Sequence, residues 1–486
     1  MRIQARLSGI AFVIAVALTH PITQAQSLTD DPRVADAINL LERWIDAQQA
    51  YDQIPSVTAA VVHDQDLLWS AGFGYADVES RRPATPGTMY SICSISKLFT
   101  SIGVMQLRDQ GHLRLDDPVG DHLSWFNIGD TYPDAPPVTI QGLLTHSSGL
   151  PRESDYPYWR PPFEFPTHDQ VVQRISHQQE LHPADRIFQY SNLGFTLAGE
   201  IVAHRSHMAY GDYIRQHILD PPGMEDTNPE IPVEHRGGRF AQGYSATRRD
   251  GERREVQFFQ GNGIAPAMGF ASTVEDLAKF ASWQFRLLET GKTEVLKANT
   301  LREMHRVHWV NPDWRTTWGL GFSVSRTDDK TFVGHGGGCP GFLSHFRIQV
   351  DEKIATIVMV NTNGENPRQF SQRAYEVVAP AIKAATKNPD EAKTLNPQLR
   401  KFIGTYDSFP WGGESQVISW EGGLAMIGLP TTNPLESLTK LKHVEGNTFR
   451  RIRDDETLAE EVVFELGPNG EVLRMKRHSN YSNRIR

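Results

Sequence analysis

The order of strand-like and helix-like segments limits the fold of this chain more than any other feature. Residues 57–74, "VTAAVVHDQDLLWSAGFG", read as two strands around a short polar turn at Asp64–Asp66. From Phe342 the strand pattern returns in "FLSHFRIQV" and "IATIVMVNTN". The apolar spacing between these regions is mostly helical. We therefore predict an α+β domain in which strands at both ends enclose a helical middle.

Three segments carry helix patterns. Residues 97–111, "KLFTSIGVMQLRDQG", are apolar nearly all round and end in glycine, which is typical of a helix buried inside a domain. "STVEDLAKFASWQF" begins with a capping box of Ser272 and Glu275, ahead of an apolar periodic run. A third helical pattern runs from about Gln369 to Lys387.

The composition changes after residue 390. Residues 391–398 belong to "KNPDEAKTLNPQ", whose prolines and charges are typical of a linker. Over residues 399–486 short β-like runs alternate with turn signals such as "WGGE" and "GPNGE". We predict a first domain over residues 26–390 and a small all-β barrel or sandwich over residues 399–486.

Residues 1–25 have the features of a signal peptide. Two arginines precede the apolar run "LSGIAFVIAVAL", and "TQA" ends at Ala25. The run is shorter than the roughly 20 apolar residues that span a bilayer. We therefore expect cleavage, a periplasmic or secreted protein, and no stable membrane anchor after processing.

Charge and motif content exclude several classes of partner. The formal net charge of -9 opposes binding to nucleic acid. Metal and nucleotide motifs such as C-x-x-C, H-E-x-x-H, Walker A and the dinucleotide glycine pattern do not occur, and the H-x-x-H pairs at His204/His207 and His305/His308 lack a recognisable ligand set. We expect no metal and no cofactor.

The two cysteines, Cys93 and Cys339, are too few for a disulfide framework. A single bridge is possible, but the sequence does not give their separation in space. The burial preference of cysteine favours two small buried thiols.

"SICSISK" holds the main candidate for chemistry. On a helix, Ser94 and Lys97 lie about 60° apart on adjacent turns, so their side chains can meet. A serine hydroxyl is a poor nucleophile until a base takes its proton, and a lysine can do so. "SLTK" at Ser437–Lys440 has the same spacing but lies in a β-like segment, where residues three apart point to opposite faces.

Two further elements follow the first pair in order. "YSN" at Tyr190–Asn192 comes next, and "HGG" at His335–Gly337 opens the strand-rich region. A second "YSN" at Tyr481–Asn483 has no His-x-Gly or Lys-x-Gly element after it. The second copies are therefore interpreted as decoys.

With these elements the chain resembles the serine β-lactamase-like hydrolases, which include class C β-lactamases, D,D-peptidases, D-aminopeptidases and carboxylesterases. The resemblance runs from about Asp31 to Lys387, through "YSICSISKLFTSIGVMQL", "LLTHSSGLP", "YSNLGFTLAGEIV", "GFASTVEDLAKF" and "GHGGGCPGF". It implies an α/β (α+β) fold with an antiparallel sheet flanked by helices and an all-helical lobe. Residues 399–486 resemble the lipocalin-like barrel of some members.

The resemblance also implies roles. Ser94 would be the acylated nucleophile, Lys97 its proton acceptor or electrostatic activator, and Tyr190 the proton shuttle to the leaving group. Which base acts first stays open. Asn192 would hold a substrate amide or carbonyl. The substrate-binding strand would comprise His335, Gly336, Gly337 and Gly338, with the backbone N–H groups of Ser94 and Gly338 as the oxyanion hole.

Two departures from the family pattern bear on the substrate. "KTG" is absent, and the near match "KTF" at Lys330–Phe332 lies before His335, so a fixed ammonium for a substrate carboxylate is missing there. This weakens the β-lactamase interpretation and leaves peptidase, aminopeptidase and esterase open. The aromatic loop Arg152–Pro166, "RESDYPYWRPPFEFP", would either wall an acyl pocket or cover the helical lobe. Its Arg152 and Arg160 would either anchor a carboxylate or, as their residue type favours, be exposed and solvated.

These observations predict an exported serine hydrolase that acts through an acyl-enzyme on an amide or ester bond of a small molecule or short peptide. The alternative is a non-catalytic peptidoglycan-binding protein that keeps the fold. The sequence leaves the oligomeric state open.

Overall fold

The computed structural model describes residues 28–486, so the predicted signal peptide at residues 1–25 lies outside the described residues. The helices are α1 (Pro32–Tyr51), α2 (Ser96–Asp109), α3 (Ile140–Thr145), α4 (His168–Arg174), α5 (Asn192–Ser206), α6 (Tyr210–Ile214), α7 (Ala265–Met268), α8 (Val274–Thr290), α9 (Ala298–His305) and α10 (Pro367–Lys387). The strands before the linker are β1 (Ser56–His63), β2 (Asp66–Asp77), β3 (Arg82–Pro83), β4 (Tyr90–Ser91), β5 (Ala271–Ser272), β6 (Trp309–Val310), β7 (Thr317–Trp318), β8 (Ser323–Thr327), β9 (Lys330–Cys339), β10 (Phe342–Gln349) and β11 (Ile354–Val360).

Strands from both ends of this region form one antiparallel sheet in the order β3-β2-β1-β11-β10-β9-β8-β7-β6. The N-terminal hairpin joins the C-terminal strands where β1 pairs with β11, from Val57 opposite Val360 to His63 opposite Ile354. Both strands are buried on both faces, as their near-continuous apolar sequences require. The sheet therefore connects β9, through β10 and β11, to the N-terminal hairpin that precedes Ser94 in the chain.

Alternate residues of the central strands enter two different cores. Ala60 and Met359 point into a core shared with α2, α5 and α8, whereas Val61 and Val358 point into a core shared with α1 and α10. Helices α2 to α7 form the helical lobe, and their apolar side chains contribute to the first core. The predicted α+β fold with an antiparallel sheet, flanking helices and a helical lobe is confirmed.

The predicted cap of α8 was wrong by one residue. Thr273, not Ser272, accepts the hydrogen bond from the N–H of Asp276. Ser272 lies in β5, where it pairs with Tyr90 of β4, and its hydroxyl is 2.8 Å from that of Thr227. Because Ser272 is part of a strand, the cap position of α8 is occupied by Thr273 instead.

The C-terminal strands are β12 (Gly404–Asp407), β13 (Glu414–Trp420), β14 (Gly423–Leu429), β15 (Leu438–Glu445), β16 (Thr448–Ile452), β17 (Leu458–Leu466), β18 (Val472–Arg477) and β19 (Asn480–Asn483). They pair antiparallel in chain order, and the bridge between Tyr406 and Arg484 brings the last strand back to the first. The result is a nearly closed barrel, filled by residues such as Phe402, Phe449 and Phe464. The predicted all-β barrel is confirmed.

The barrel packs against the first region through its outer face. Ile418 and Ile427 belong to the same core cluster as α1 and α10. On α1, the indole N–H of Trp44 donates to the carbonyl of Thr431 at 2.7 Å. Among residues 28–486, no helix has the length and apolar character to cross a bilayer.

Candidate active site

Ser94 and Lys97 meet, although only the lysine lies in an α-helix. Ser94 is the middle residue of a single 3-10 turn, Cys93–Ile95, which leads directly into α2. Lys97, in the first turn of α2, places its Nζ 3.3 Å from Ser94 Oγ. The predicted partnership is present, with a tighter turn than an α-helix at the serine.

Lys97 is completely buried, and two polar groups hold its amine. Its Nζ donates to Asn192 Oδ1 and to the carbonyl of Ala267, each at 2.7 Å. Burial lowers the pKa of Lys97 well below the usual lysine value; the charge of Glu153 opposes this shift and that of Arg152 adds to it. The site therefore favours the neutral amine, the form that accepts a proton.

Tyr190 precedes α5 and lies beside the same amine. Lys97 Nζ is 4.8 Å from the centroid of its ring. Burial raises the pKa of Tyr190, while its hydrogen bond with Ser94 lowers it. Tyr190 is therefore a neutral phenol at rest, able to donate or relay a proton.

His335 lies on β9, where its side chain is buried. Its Nδ1 donates to the carbonyl of Gly336 at 2.6 Å, and within residues 28–486 its Nε2 is buried without a hydrogen-bond partner. Burial, reinforced by the charge of Lys97, lowers the pKa of His335 to about 3. His335 is therefore neutral at neutral pH and cannot replace the missing ammonium of "KTG".

The glycines after His335 allow β9 to approach the turn that carries Ser94. Gly336 and Gly338 are exposed, whereas Gly337 is buried between them. A Cβ at Gly337 would lie 2.2 Å from the carbonyl oxygen of Ile92. Only glycine fits at that position while the strand and the turn stay in contact.

Cys93 and Cys339 form a disulfide, with their Cα atoms 5.8 Å apart. The expectation of two free thiols was wrong; the expectation of burial is confirmed. The bridge joins the residue before Ser94 to the residue after Gly338. It therefore ties together the two backbone segments whose N–H groups are the predicted oxyanion hole, and that role stays a prediction.

His146 is a site residue that the sequence argument did not assign, although "LLTHSSGLP" belongs to the family stretches. It ends α3 in the left-handed conformation, with φ at 59°. Its ring stacks on that of Tyr190, with centroids 4.2 Å apart, and its Nδ1 accepts from the N–H of Ser191 at 3.0 Å. Burial keeps the pKa of His146 well below its usual value, so a neutral ring supports Tyr190.

Glu153 is the second unassigned site residue. Both of its carboxylate oxygens accept from Asn192 Nδ2 at 2.9 Å. The Asn192 amide thus has its nitrogen on Glu153 and its oxygen on Lys97, and only 2% of Asn192 is exposed. Both ends of the Asn192 amide are thus engaged within the protein. The predicted contact of Asn192 with substrate stays a prediction.

Two cavities of about 650 Å³ each meet at Gly338. The first, the cationic cleft, is lined by Ser94, Tyr190, His335 and the glycines of β9. Its charged lining residues are Arg152, Arg315, Arg347, Arg368 and Glu365. The second, the aromatic pocket, is walled by Trp159, Pro161, Phe163, Val256 and Pro340.

The aromatic loop Arg152–Pro166 both walls a cavity and covers the helical lobe; that the cavity holds an acyl group stays a prediction. Trp159 and Phe163 wall the aromatic pocket, whereas Tyr158 and Phe165 are buried in the core of the helical lobe. The side chain of Arg152 is 59% exposed, as expected, and it lines both cavities.

The second Ser-x-x-Lys copy does not form a pair. Ser437 Oγ lies 2.6 Å from Thr431 Oγ1, and Lys440 Nζ donates to Glu421 at 2.5 Å. In the part of the chain that the structure describes, no three His, Cys, Asp or Glu side chains are grouped to hold a metal ion.

With this fold and geometry, comparison with known proteins gives the class. The profile of the family described as Beta-lactamase matches residues 41–380, and the chain belongs to that family. "Beta-lactamase-like protein 2" of Dictyostelium discoideum is 30% identical over 72% of this chain, and the match covers 64% of that relative's own length. "Putative beta-lactamase-like 1" of Homo sapiens is 23% identical, over 80% of this chain and 76% of the human protein.

Two solved structures share the fold. The octameric penicillin-binding protein homologue from Pyrococcus abyssi has a TM-score of 0.62 at 24% identity, and the match covers 92% of this chain and 99% of that one. The D-amino acid amidase from Ochrobactrum anthropi SV3, complexed with L-phenylalanine amide, has a TM-score of 0.59 at 25% identity, over 73% of this chain and 100% of the amidase chain.

Proposed function

We propose that this protein is an exported serine hydrolase that acts through an acyl-enzyme on Ser94, on amide or ester bonds of small molecules or short peptides. The observation that carries the proposal is the 3.3 Å contact between Lys97 Nζ and Ser94 Oγ, in a site where burial lowers the pKa of Lys97. A neutral amine at that distance can accept the serine proton. The likeness to a D-amino acid amidase supports hydrolysis of an amide.

The two pKa directions favour Lys97 as the first base. Lys97 takes the proton from Ser94 Oγ as the oxygen attacks the carbonyl carbon, because the Lys97 pKa is lowered whereas that of Tyr190 is raised. The oxyanion accepts hydrogen bonds from the N–H groups of Ser94 and Gly338. Tyr190 then gives its proton to the leaving group and recovers one from Lys97. Water hydrolyses the acyl-enzyme by the same transfers in reverse.

The two cavities orient the substrate. Tyr190 protonates the leaving group and lines the cationic cleft, so the leaving group occupies that cleft and the acyl group occupies the aromatic pocket. Four arginines against one glutamate, Glu365, line the cleft and favour a leaving group with a carboxylate. Trp159 and Phe163 favour an apolar acyl side chain. A short peptide with an apolar residue before the scissile bond meets both conditions.

A substrate panel tests this assignment: nitrocefin, a D-Ala-D-Ala peptide, D-phenylalanine and D-alanine anilides, and p-nitrophenyl acetate. We expect turnover of an amide or ester, and faster turnover of the phenylalanine anilide than of the alanine anilide. Trp159→Ala should remove that preference, and Trp411→Ala, which changes a barrel tryptophan that is 90% exposed, should not. Equal rates of turnover of the two anilides by the wild-type protein would contradict the role of the aromatic pocket.

The alternative, a non-catalytic peptidoglycan-binding protein, predicts binding of peptidoglycan fragments without turnover of any ester or amide. Turnover that is lost in Ser94→Ala excludes it. Binding without turnover in wild type would overturn the proposed enzyme.

Export rests on the signal-peptide features of residues 1–25 and on the Cys93–Cys339 bridge, which fits an oxidising compartment. N-terminal sequencing of protein recovered from the periplasm or medium should read from Gln26. A protein that keeps residue 1 and stays in the cytoplasm would contradict export.

A further inference from the structure

The carboxylate of Glu153 contacts the Asn192 amide on the side opposite to Lys97, the candidate base. Asn192 donates from Nδ2 to both oxygens of Glu153 at 2.9 Å and accepts from Lys97 Nζ at 2.7 Å through Oδ1. An amide nitrogen can only donate and an amide oxygen can only accept. The carboxylate and the amine therefore fix the orientation of Asn192 between them, and the three groups form a continuous path that ends 3.3 Å from Ser94 Oγ.

Glu153 is itself held from its other side. The hydroxyl of Tyr158 donates to Glu153 Oε2, and Tyr158 is 1% exposed. Arg152 Nε lies 3.1 Å from Glu153 Oε1. Burial and the neighbouring carboxylate raise the pKa of Tyr158, so its hydroxyl remains a donor. A buried phenol, a buried amide and a guanidinium thus fix one carboxylate, which is more than a surface glutamate requires.

Few charges act on Lys97. Glu153 favours its protonated form and Arg152 opposes it. The other titratable groups around it are Tyr190, His146 and His335, all neutral at neutral pH because burial raises the pKa of the tyrosine and lowers those of both histidines. The electrostatic environment of the amine is therefore set mainly by burial, with Glu153 limiting the loss of basicity.

We propose that Glu153 is a positioning residue for acylation: it fixes the Asn192 amide so that its oxygen receives the Lys97 amine. The negative charge of Glu153 also favours the protonated form of that amine. This inference rests on the proposed function, in which Lys97 activates Ser94. In this proposal Asn192 has a role within the protein, because it links the Glu153 carboxylate to the Lys97 amine.

The test measures the rate at which a fluorophosphonate labels the full-length protein, as a function of pH. The rate should rise with pH as Lys97 loses its proton. Glu153→Gln removes the negative charge, so the rise should move to lower pH by about one unit. The rate at the plateau should fall about tenfold, because Lys97 is a weaker base and Asn192 keeps only one of its two acceptor oxygens at position 153.

Two matched variants separate this effect from a general loss of structure. Glu153→Asp keeps the charge on a shorter side chain, so its rise should stay near the wild-type pH while the plateau falls. Glu164→Gln makes the same change at an exposed position of the aromatic loop and should leave the profile unchanged. A Glu153→Gln profile that rises at the wild-type pH would overturn the proposal. The proposal would also be overturned if Glu153→Gln were labelled at the normal rate but accumulated an acyl-enzyme from an ester substrate. That result would assign Glu153 to hydrolysis of the intermediate.

The same experiment tells this failure from a failure of the proposed function. If wild type is not labelled at Ser94, or if Lys97→Ala keeps the wild-type profile, the proposed function itself fails. If wild type and Lys97→Ala behave as proposed and only the Glu153→Gln shift is missing, the error is confined to Glu153.

Discussion

Ser-x-x-Lys occurs in two regions of this protein, at Ser94–Lys97 beside the helical lobe and at Ser437–Lys440 in the barrel. In the first, a 3-10 turn leads into α2, and the lysine is completely buried 3.3 Å from the serine oxygen. In the second, β15 begins at Leu438, and the lysine is half exposed and paired with Glu421.

The Ser-x-x-Lys spacing allows the two side chains to meet, but it does not by itself make the lysine a base. A lysine becomes a base near neutral pH when burial removes its hydration and no close carboxylate forms a direct ion pair with it. Lys97 meets both conditions, because Asn192 stands between it and Glu153. Lys440 contacts its carboxylate directly, in solvent.

The largest contrast should come from the two lysines. Lys97→Ala should lower kcat/KM about 1000-fold, because it removes the group that accepts the Ser94 proton. Lys440→Ala should change kcat/KM less than twofold, since it loses only an exposed ion pair. Steady-state kinetics on the best substrate of the panel measures both. A comparable loss of kcat/KM in the two variants would contradict the assignment of the catalytic base to Lys97 alone.

The two tyrosines of the "YSN" copies should differ next. Tyr190→Phe keeps the ring that stacks on His146 but removes the hydroxyl beside Ser94, so kcat should fall about 100-fold. Tyr481 lies on β19, and Tyr481→Phe should be neutral in the same assay. An unchanged kcat in Tyr190→Phe would remove the tyrosine from the proton path.

The disulfide belongs to the first region alone and should have a moderate effect. The double variant Cys93→Ser, Cys339→Ser should lose about 2–4 kcal/mol of unfolding free energy in chemical denaturation. Its kcat should fall about tenfold, because the N–H groups of Ser94 and Gly338 are held less closely.

Chemical reduction supplies the control for that variant. Reduction of wild type should reproduce the loss of kcat, and reduction of the double variant should have no further effect. A double variant with reduced stability and unchanged kcat would make the bridge purely structural.

The smallest effect should come from Ser437→Ala. It removes the contact between Ser437 Oγ and Thr431 Oγ1, so the unfolding free energy should fall by about 1 kcal/mol. Activity should stay the same. Thermal denaturation with a parallel activity assay measures both, and a loss of activity without unfolding would make the barrel copy functional.

The sequence was sufficient for features that depend on local pattern or on order along the chain. The hairpin of β1 and β2, the buried helix α2, the barrel and the family all follow from periodicity and from the order of Ser94, Tyr190 and His335. The difference in local structure between the two Ser-x-x-Lys copies also followed, because one lies in a helix-like segment and the other in a β-like one.

What the sequence did not reveal depends on contacts between distant residues. Cys93 and Cys339 are separated by 246 positions, and only the approach of β9 to the 3-10 turn brings them together. Glu153 lies in a loop without periodicity, so nothing local marks its contact with Asn192. Ser272 matched the capping pattern, but it lies in β5 and pairs with Tyr90 of β4, a contact between residues far apart in the chain.

Mass spectrometry of the fluorophosphonate-labelled protein tests the central claim most directly, because it reads which serine carries the label. One label is expected, on the peptide that contains Ser94, with none on the peptide that contains Ser437. Ser94→Ala should abolish labelling, and Ser437→Ala should leave it complete. A label on Ser437, or equal labelling of wild type and Ser94→Ala, would contradict the account.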